Sequence, residues 1–138
     1  MEKDKLESFS NKINSKFLFD YDLKKSNWFN IGGKAKVYFK PDTLDDLILF
    51  LKKFGEKERV FILGAGSNIL MTDKKFDGVV IKLGKNFSNL SLLSNEIIVA
   101  GSAVTDKKLS EFAMENNIGG FEFLSCIPGT VGGGLRIN

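Results

Sequence analysis

The residues best suited to chemistry lie in two glycine-rich segments. The first, Gly64-Ala65-Gly66-Ser67-Asn68, follows directly after the apolar run at residues 60–63. A loop without bulky side chains lets successive backbone N–H groups converge on an anion, and Ser67 and Asn68 add side-chain donors. The same glycines also suit a tight turn between strands, because glycine readily adopts a positive φ angle. Both interpretations, an anion cradle and a structural turn, remain open on this segment alone.

Two familiar phosphate-binding motifs do not fit the first segment. It begins like G-x-G-x-x-G, but Ile69 occupies the sixth position and a polar turn at residues 72–75 leaves no room for the helix of a Rossmann unit. A Walker loop is excluded because no Gly-Lys-Ser/Thr follows.

The second segment, residues 128–134, has four glycines in seven residues. Glycine carries a conformational entropy cost on folding, so this density favours close backbone approach to something flat or charged. A flexible tail is the alternative, but the apolar Ile127 and Val131 bracket the glycines and argue against it. Together the two segments could hold the two ends of a pyrophosphate-linked dinucleotide.

Other candidate groups are few. Residues 27–33 form a possible third wall, in which Trp28 could stack on a ring system, although a single Trp beside Phe29 is more often a core residue. Cys126, the only cysteine, has a thiol that could bond a flavin covalently, but its apolar neighbours indicate a buried and inert thiol. The chain has no His, which excludes imidazole acid–base catalysis and Cys/His zinc sites. We therefore expect the chemistry to come from a cofactor or from another segment, with no metal involved.

Composition restricts the class of protein and its partners. With 138 residues, 43% hydrophobic and 27% charged, the chain is typical of a globular domain. Its net charge of +3 is interspersed along the sequence, which argues against a nucleic-acid partner. No apolar run approaches the roughly 18 residues of a membrane span, and the N-terminus lacks a signal-peptide pattern. A single cysteine excludes an intrachain disulfide, so we expect a cytoplasmic protein.

A βαβ unit is expected to position the first glycine segment. Alternation predicts a strand at residues 35–40, and Thr43 is placed to cap a helix that stops at Gly55. The continuous apolar run at 60–63 is typical of a parallel strand covered on both faces. The predicted apolar stripe of the helix consists of Leu44, Leu47, Ile48, Leu51 and Phe54.

The remaining elements flank this unit. An amphipathic helix is predicted from Glu2 to Phe17, followed by a polar loop at residues 20–25. Strands are predicted at residues 79–83 and 96–100, with an irregular stretch at 86–95 between them. Thr105 is expected to cap a second helix, with Leu109 among its buried residues, that leads to the second glycine segment.

Three motifs in this order resemble the UDP-N-acetylenolpyruvoylglucosamine reductases, the MurB flavoenzymes of bacterial peptidoglycan synthesis. The resemblance covers the chain from Asn27 onward. Its motifs are Asn27-x-Phe29-x-Ile31-Gly32-Gly33, Gly64-Ala65-Gly66-Ser67-Asn68-Ile69-Leu70, and Gly119-x-x-x-Phe123-Leu124-x-x-Ile127-Pro128-Gly129-Thr130-Val131-Gly132-Gly133.

The resemblance implies an α+β, FAD-binding fold of the vanillyl-alcohol oxidase type, in which a small βαβ-containing subdomain and a second α+β subdomain hold FAD between them. It implies a division into an N-terminal helix and linker (residues 1–26) and an FAD-binding domain (27–138), with subdomains at roughly 27–83 and 84–138. The implied FAD-contacting residues are Gly64, Ala65, Gly66, Ser67, Asn68, Ile69, Ile127, Pro128, Gly129, Thr130, Val131, Gly132, Gly133, Arg136 and Asn138.

The family reaction passes hydride from NADPH through FAD to the enolpyruvyl group of the UDP-sugar, giving UDP-N-acetylmuramate. The Arg, Ser and Glu that handle the substrate in the family lie beyond the position matching Asn138, so no catalytic residue is expected in this chain. We therefore expect a truncated chain that lacks the substrate domain and is inactive alone. Another FAD-dependent oxidase or dehydrogenase of the same superfamily, or a non-catalytic nucleotide-binding module, remains an alternative.

Overall fold

The computed structural model describes residues 3–137. Asn138, one of the expected FAD contacts, lies outside them. The strands are β1 Lys16–Asp22, β2 Lys34–Lys40, β3 Val60–Ile62, β4 Phe76–Ile81, β5 Leu90–Ser94 and β6 Ile97–Ala100. The α-helices are α1 Lys3–Ser10, α2 Leu44–Phe54, α3 Asp106–Glu115 and α4 Val131–Ile137. Short 3-10 helices cover Leu23–Ser26, Lys85–Phe87 and Glu122–Cys126.

A four-stranded sheet in the order β1-β2-β4-β3 organises the first half of the chain. Strands β2, β4 and β3 are parallel, and β1 is antiparallel to β2. The predicted βαβ unit is confirmed as β2-α2-β3, with β4 inserted between its two strands. The carboxyl ends of three parallel strands therefore meet at one edge of the sheet, and the first glycine segment leaves the sheet at that edge.

The predicted N-terminal helix is longer than the observed one. The predicted helix from Glu2 to Phe17 ends at Ser10, and residues 16–22, expected to be part helix and part loop, form β1. Phe17 pairs with Phe39 of β2, and their rings stack with centroids 4.3 Å apart. Because this pairing adds a ladder of hydrogen bonds and partly buries the Phe17 ring, tertiary contact outweighs the helical spacing of the apolar residues.

The two faces of the sheet carry separate apolar clusters. We call the side covered by α1 and α2 the helix face; its buried residues are Leu6, Phe9, Val37, Phe39, Phe50, Phe54, Val79 and Ile81. We call the other side the loop face; its buried residues are Leu23, Ala35, Tyr38, Leu63 and Val80. Alternating side chains on β2 and β4 supply both clusters, as a strand with two covered faces requires.

Helix α2 begins as predicted, but its predicted stripe is confirmed only in part: Phe54 is buried and Leu47 packs partly buried against the same helix-face cluster. The Thr43 side chain accepts a hydrogen bond from the backbone N–H of Asp46 at 3.1 Å, which confirms the cap. Phe50 and Phe54 are its buried residues, whereas Leu44 is 61% exposed. Ile48 and Leu51 of the predicted stripe are also exposed. The helix is rotated toward the Phe50 side because the larger rings fill the space above the sheet.

Strand β3 is not covered on both faces, contrary to the prediction. It lies at the edge of the sheet, and Ile62 is 57% exposed. An apolar run of three or four residues does not distinguish a central strand from an edge strand that lacks cover.

The second half contains the β5–β6 antiparallel pair and α3. The stretch at residues 86–95, expected to be irregular, includes β5, so that prediction was wrong there. The α3 prediction is confirmed: the Thr105 side chain accepts from the N–H of Lys108, and Val104 and Leu109 are buried. Within residues 3–137 no helix is long and apolar enough to cross a membrane.

Candidate functional site

The first glycine segment curls from the carboxyl edge of the sheet over the loop face. The N–H of Leu63 donates to the carbonyl of Ile81 at 2.8 Å, which ties the start of the segment to β4. At the other end, Ile69 packs against the loop-face cluster. Gly66 has φ +75°, a left-handed conformation, and its carbonyl accepts from the N–H of Trp28 at 3.0 Å. The segment is thus held at its two ends and its middle.

Gly66 requires glycine for a second reason. A Cβ at this position would collide with the Ser26 carbonyl oxygen and would lie 2.9 Å from the Cα of Asn27. The backbone of residues 26–28 therefore lies directly against the glycine segment. Residues 27–33, predicted to form a third wall of the site, therefore contact the first glycine segment, predicted to bind an anion.

Asn27 holds that wall in shape. Its buried side-chain amide donates to the carbonyls of Leu23 and Ile31 at 2.8 and 2.7 Å. Its Oδ1 is buried with no hydrogen-bond partner among residues 3–137. Two donated bonds fix the amide orientation, and the wall is rigid at this point.

Trp28 and Phe29 do not lie in the core, contrary to the sequence interpretation. Trp28 is 62% exposed and Phe29 is 58% exposed. A neighbouring Trp and Phe exposed on a fixed backbone leave an apolar surface beside the glycine segment.

Cys126 was also misassigned, since it is exposed rather than buried. Its apolar sequence neighbours do not cover it, because Phe123 and Ile127 are themselves exposed.

The second glycine segment is only partly a loop. Residues 131–137, which include three of its four glycines, form helix α4. Two hydrogen bonds from Thr130 stabilise the start of this helix. The Thr130 hydroxyl accepts from the N–H of Gly133 at 3.3 Å, and the Thr130 carbonyl accepts from the N–H of Gly134 at 2.9 Å. The low helix propensity of glycine is outweighed by these contacts at the helix start.

The start of α3 anchors this second segment. The N–H of Val131 donates to the Val104 carbonyl and the N–H of Gly132 donates to the Ser102 carbonyl, both at 2.9 Å. Thr105 and Thr130 form a β-bridge. Gly132 must lack a side chain here, because a Cβ would lie 2.8 Å from the Cβ of Ser102.

The two glycine segments meet. A Cβ at Gly64 would lie 2.9 Å from the Thr130 hydroxyl oxygen and 3.8 Å from the Cα of Gly133. At this junction Thr130 is buried, at 8% exposed, and Gly64 and Gly133 are half-buried. Two motifs separated by 59 residues therefore form one glycine-lined site, bounded on its far side by Ser26 and Asn27.

Not every expected contact residue is enclosed. Ala65, Ser67, Ile69, Gly129, Val131 and Gly133 are half-buried, whereas Asn68, Ile127, Pro128 and Arg136 are exposed. The structure brings the glycines of both segments together and leaves the Ile127–Pro128 end and Arg136 on the surface.

Sequence reasoning missed the residues that shape the site from behind. Ser26, Ser102 and Val104 contribute through backbone carbonyls, for which no sequence pattern exists. Asp106, 5% exposed, has a carboxylate oxygen against Gly129, and burial raises the pKa of this carboxyl above its usual value. Its position directly after the Thr105 cap was the one available signal.

The chemistry of the site suits an anionic, extended ligand with flat ends. Closely packed glycines leave backbone N–H groups approachable, which favours phosphate oxygens. The exposed aromatic surface of Trp28 and Phe29 suits a planar ring. No group of three or more His, Cys, Asp or Glu able to hold a metal ion occurs within residues 3–137.

Comparison with known proteins identifies this ligand. A family model described as an FAD binding domain matches residues 35–138. UDP-N-acetylenolpyruvoylglucosamine reductase of Pelagibacter ubique is 72% identical over 138 residues, covering all of this chain and 46% of that protein. The reductase of the same name from Rickettsia akari is 45% identical over 126 residues, covering 91% of this chain and 42% of that protein. The chain spans less than half the length of these relatives.

Two solved structures are similar in fold. UDP-N-acetylenolpyruvylglucosamine reductase (MurB) from Thermus caldophilus superposes with a TM-score of 0.65 at 25% identity, covering 86% of this chain and 40% of that one. The oxidoreductase GilR superposes with a TM-score of 0.56 at 16% identity, covering 72% of this chain and 22% of that one, which bears on the fold alone. The α+β fold implied by the resemblance is confirmed, and FAD is the cofactor. The chain belongs to the FAD-binding domain family.

Proposed function

We propose that this chain is the FAD-binding part of a UDP-N-acetylenolpyruvoylglucosamine reductase, in which the first glycine segment binds the diphosphate of FAD and the second runs along the rest of the cofactor. The contact of Gly64 with Thr130 and Gly133 carries this proposal, because it joins two distant motifs into one side-chain-free surface. The similarity to reductases of that name over the whole chain supports it.

The proposed contacts divide by role. Gly64, Ala65, Gly66, Ser67, Asn68 and Ile69 would face the diphosphate with backbone N–H groups and two polar side chains. The segment Ile127, Pro128, Gly129, Thr130, Val131, Gly132 and Gly133, with Arg136 and Asn138, would run along the rest of the cofactor. Thr130 positions this second segment, since its side chain fixes Gly133 and its backbone bridges to Thr105.

We further propose the overall reaction of the intact protein. FAD, when bound, supplies the hydride chemistry between NADPH and the enolpyruvyl group of the UDP-sugar. The chain's own residues would bind and orient the cofactor and exclude water from its diphosphate. Substrate protonation is assigned to groups outside residues 1–138, so this chain alone would not reduce the UDP-sugar. A role in peptidoglycan synthesis in the cytoplasm follows from the same proposal, as does the absence of nucleic-acid and membrane partners.

We also propose the domain division at residues 27–83 and 84–138, with the site at the junction of the two subdomains. Gly64 and Thr130, which meet at the site, come from opposite sides of this boundary. Strand β1 lies before residue 27 yet pairs with β2, so the first subdomain would rest on part of the N-terminal segment as well.

Flavin retention tests the proposal. The purified chain is mixed with FAD, desalted, and examined by visible absorbance, with folding checked by circular dichroism. We expect a retained flavin spectrum, and we expect Gly64→Leu to lose it because the added side chain would push Thr130 and Gly133 away. Gly134→Ala is the matched control, since a Cβ there meets nothing within 4 Å. A folded wild-type chain that retains no FAD would contradict the proposal.

A further inference from the structure

Three lysines form a row across the carboxyl end of the sheet. Lys16 of β1 is paired in register with Lys40 of β2. Lys82 follows β4 directly, and its N–H donates to the Phe39 carbonyl at 3.0 Å, which places it beside Lys40. We call Lys16, Lys40 and Lys82 the lysine row.

The lysine row lies on the loop face. Two residues before Lys40 and Lys82 along their strands, Tyr38 and Val80 belong to the loop-face cluster. Since side chains alternate along a strand, Lys40 and Lys82 belong to the same face. The first glycine segment curls over this face too, because Leu63 at its start and Ile69 at its end both pack there.

The row is close to the first glycine segment. Leu63, which precedes Gly64, is hydrogen-bonded to Ile81, and Ile81 precedes Lys82. Continuing the β3–β4 register places Lys82 opposite Leu63, the residue directly before the segment. A lysine side chain is long enough to reach from that position under the loop.

The lysine row has no counter-charge of its own. Two other lysines at this sheet are paired: Lys36 with Asp77 at 2.9 Å and Lys75 with Asp20 at 2.5 Å. Among residues 3–137, no carboxylate forms an ion pair with any member of the row. Like charges on neighbouring strands destabilise a sheet. Half-burial, together with nearby Lys40, lowers the pKa of Lys82. The positive charge of Lys82 is therefore unfavourable where it lies.

The proposed cofactor site lacks positive charge, whereas the lysine row lacks negative charge. Of the residues proposed to contact FAD, Arg136 is the only charged one, and it is exposed on α4. A diphosphate carries negative charge that backbone N–H groups solvate without neutralising. Hydrogen bonds between charged partners are stronger than those between neutral groups, so a cation near the loop would add affinity.

We propose that Lys82, supported by Lys40, is a phosphate-binding residue that neutralises the diphosphate of FAD at the first glycine segment. The inference rests on the proposed function, because it takes that segment as the diphosphate site. It adds an electrostatic partner that neither the glycine motifs nor the family resemblance includes.

Opposite effects on stability and on affinity test the proposal. Lys82→Met keeps the length and the apolar stem but removes the charge. Without FAD we expect a higher Tm than wild type, because the repulsion from Lys40 and the cost of burying a charge are lost. With FAD we expect about tenfold weaker binding or more, as for the loss of a charged hydrogen bond. Differential scanning fluorimetry and titration of flavin fluorescence measure the two quantities.

Three comparisons sharpen the result. Lys82→Arg should restore binding to near the wild-type value, and ADP, which has the diphosphate without the flavin, should lose affinity for Lys82→Met in the same proportion. Lys36→Met removes the same charge from the same sheet beside Asp77 and should leave both affinities within about twofold, a difference smaller than 0.5 kcal/mol.

The failures are distinguishable. If the wild-type chain binds FAD and Lys82→Met binds it equally tightly, the lysine proposal is wrong and the proposed cofactor site stands. If Lys36→Met weakens binding as much as Lys82→Met, the effect is one of net charge, and the specific role of Lys82 is overturned. If the folded wild-type chain binds neither FAD nor ADP, both the proposed function and the lysine role fail.

Discussion

At the scale of single residues, Gly66 shows how the site depends on backbone geometry. Its φ of +75° is disfavoured for any residue with a Cβ, and the space that a Cβ would occupy is filled by the backbone at Ser26 and Asn27. Backbone cannot move aside as a flexible side chain can. The turn interpretation and the anion-cradle interpretation of this segment are therefore compatible, because the same glycine conformation that makes the turn leaves the segment without bulky side chains.

Gly66→Ala is expected to destabilise the fold. Strain at a positive φ and overpacking against backbone together cost about 2 kcal/mol or more. For a chain of this size that corresponds to a fall in Tm of about 5 °C or more, measured by thermal denaturation. Gly134→Ala should leave the Tm unchanged or slightly higher, since its Cβ meets nothing within 4 Å in α4. Equal Tm values for wild type and Gly66→Ala would show that a side chain at this turn is accommodated without strain.

At the scale of elements, the start of α3 supports the second glycine segment. Its cap, Thr105, bridges to Thr130, and the next residue, Asp106, lies buried against Gly129. Asp106 occupies the first turn of α3, where a negative charge is favoured by the helix dipole. Burial nevertheless raises the pKa of its carboxyl. The buried, ionised carboxylate therefore lowers the free energy of unfolding at neutral pH. This cost accompanies the close packing of α3 on the second glycine segment.

Asp106→Asn is expected to raise the Tm by a few degrees at pH 7. A carboxyl whose pKa is raised on folding destabilises the fold when it is ionised, so the penalty is fully present above the folded pKa. It is relieved as the pH falls through that pKa toward 3.8, the usual value. The Tm difference between variant and wild type should therefore shrink on acidification, which thermal melts from pH 7 to pH 4 would show. A difference independent of pH would contradict the role of ionisation.

At the scale of the whole molecule, the described chain leaves apolar side chains uncovered. Leu44 and Leu51 on α2 and Ile62 on the edge strand β3 are all more than 40% exposed. Large apolar patches on a folded protein favour association. The unpaired edge of β3 adds open backbone hydrogen-bonding groups.

Self-association that increases with protein concentration is therefore expected, and Ile62→Lys combined with Leu44→Lys should reduce it. Because neither side chain is buried, the Tm should stay within about 1 °C, as for most exposed substitutions. Sedimentation velocity at several concentrations measures the effect. Leu93→Lys, on the β5–β6 pair and 72% exposed, is the control and should change association less. A wild-type chain that stays monomeric throughout would show that these side chains do not drive association.

The sequence alone determined the local elements with strong signals. The capped helices at Thr43 and Thr105, the βαβ order and the two glycine segments all follow from short-range chemistry, namely side-chain caps, strand patterning and the freedom of glycine. The motif order also sufficed to predict the FAD-binding family, which the comparison confirmed. These features need no knowledge of distant contacts.

Only the tertiary structure decided which side chains are covered and which segments meet. Phe17 joins β1 rather than a helix because Phe39 stacks on it, and Ile62 is exposed because β3 is an edge strand. Cys126 and Trp28 were placed wrongly because burial depends on which distant parts of the chain pack nearby. The junction of Gly64 with Thr130 and the lysine row arise from strand order and register. Such pairings are set by the free energy of packing the whole chain, which local sequence patterns do not contain.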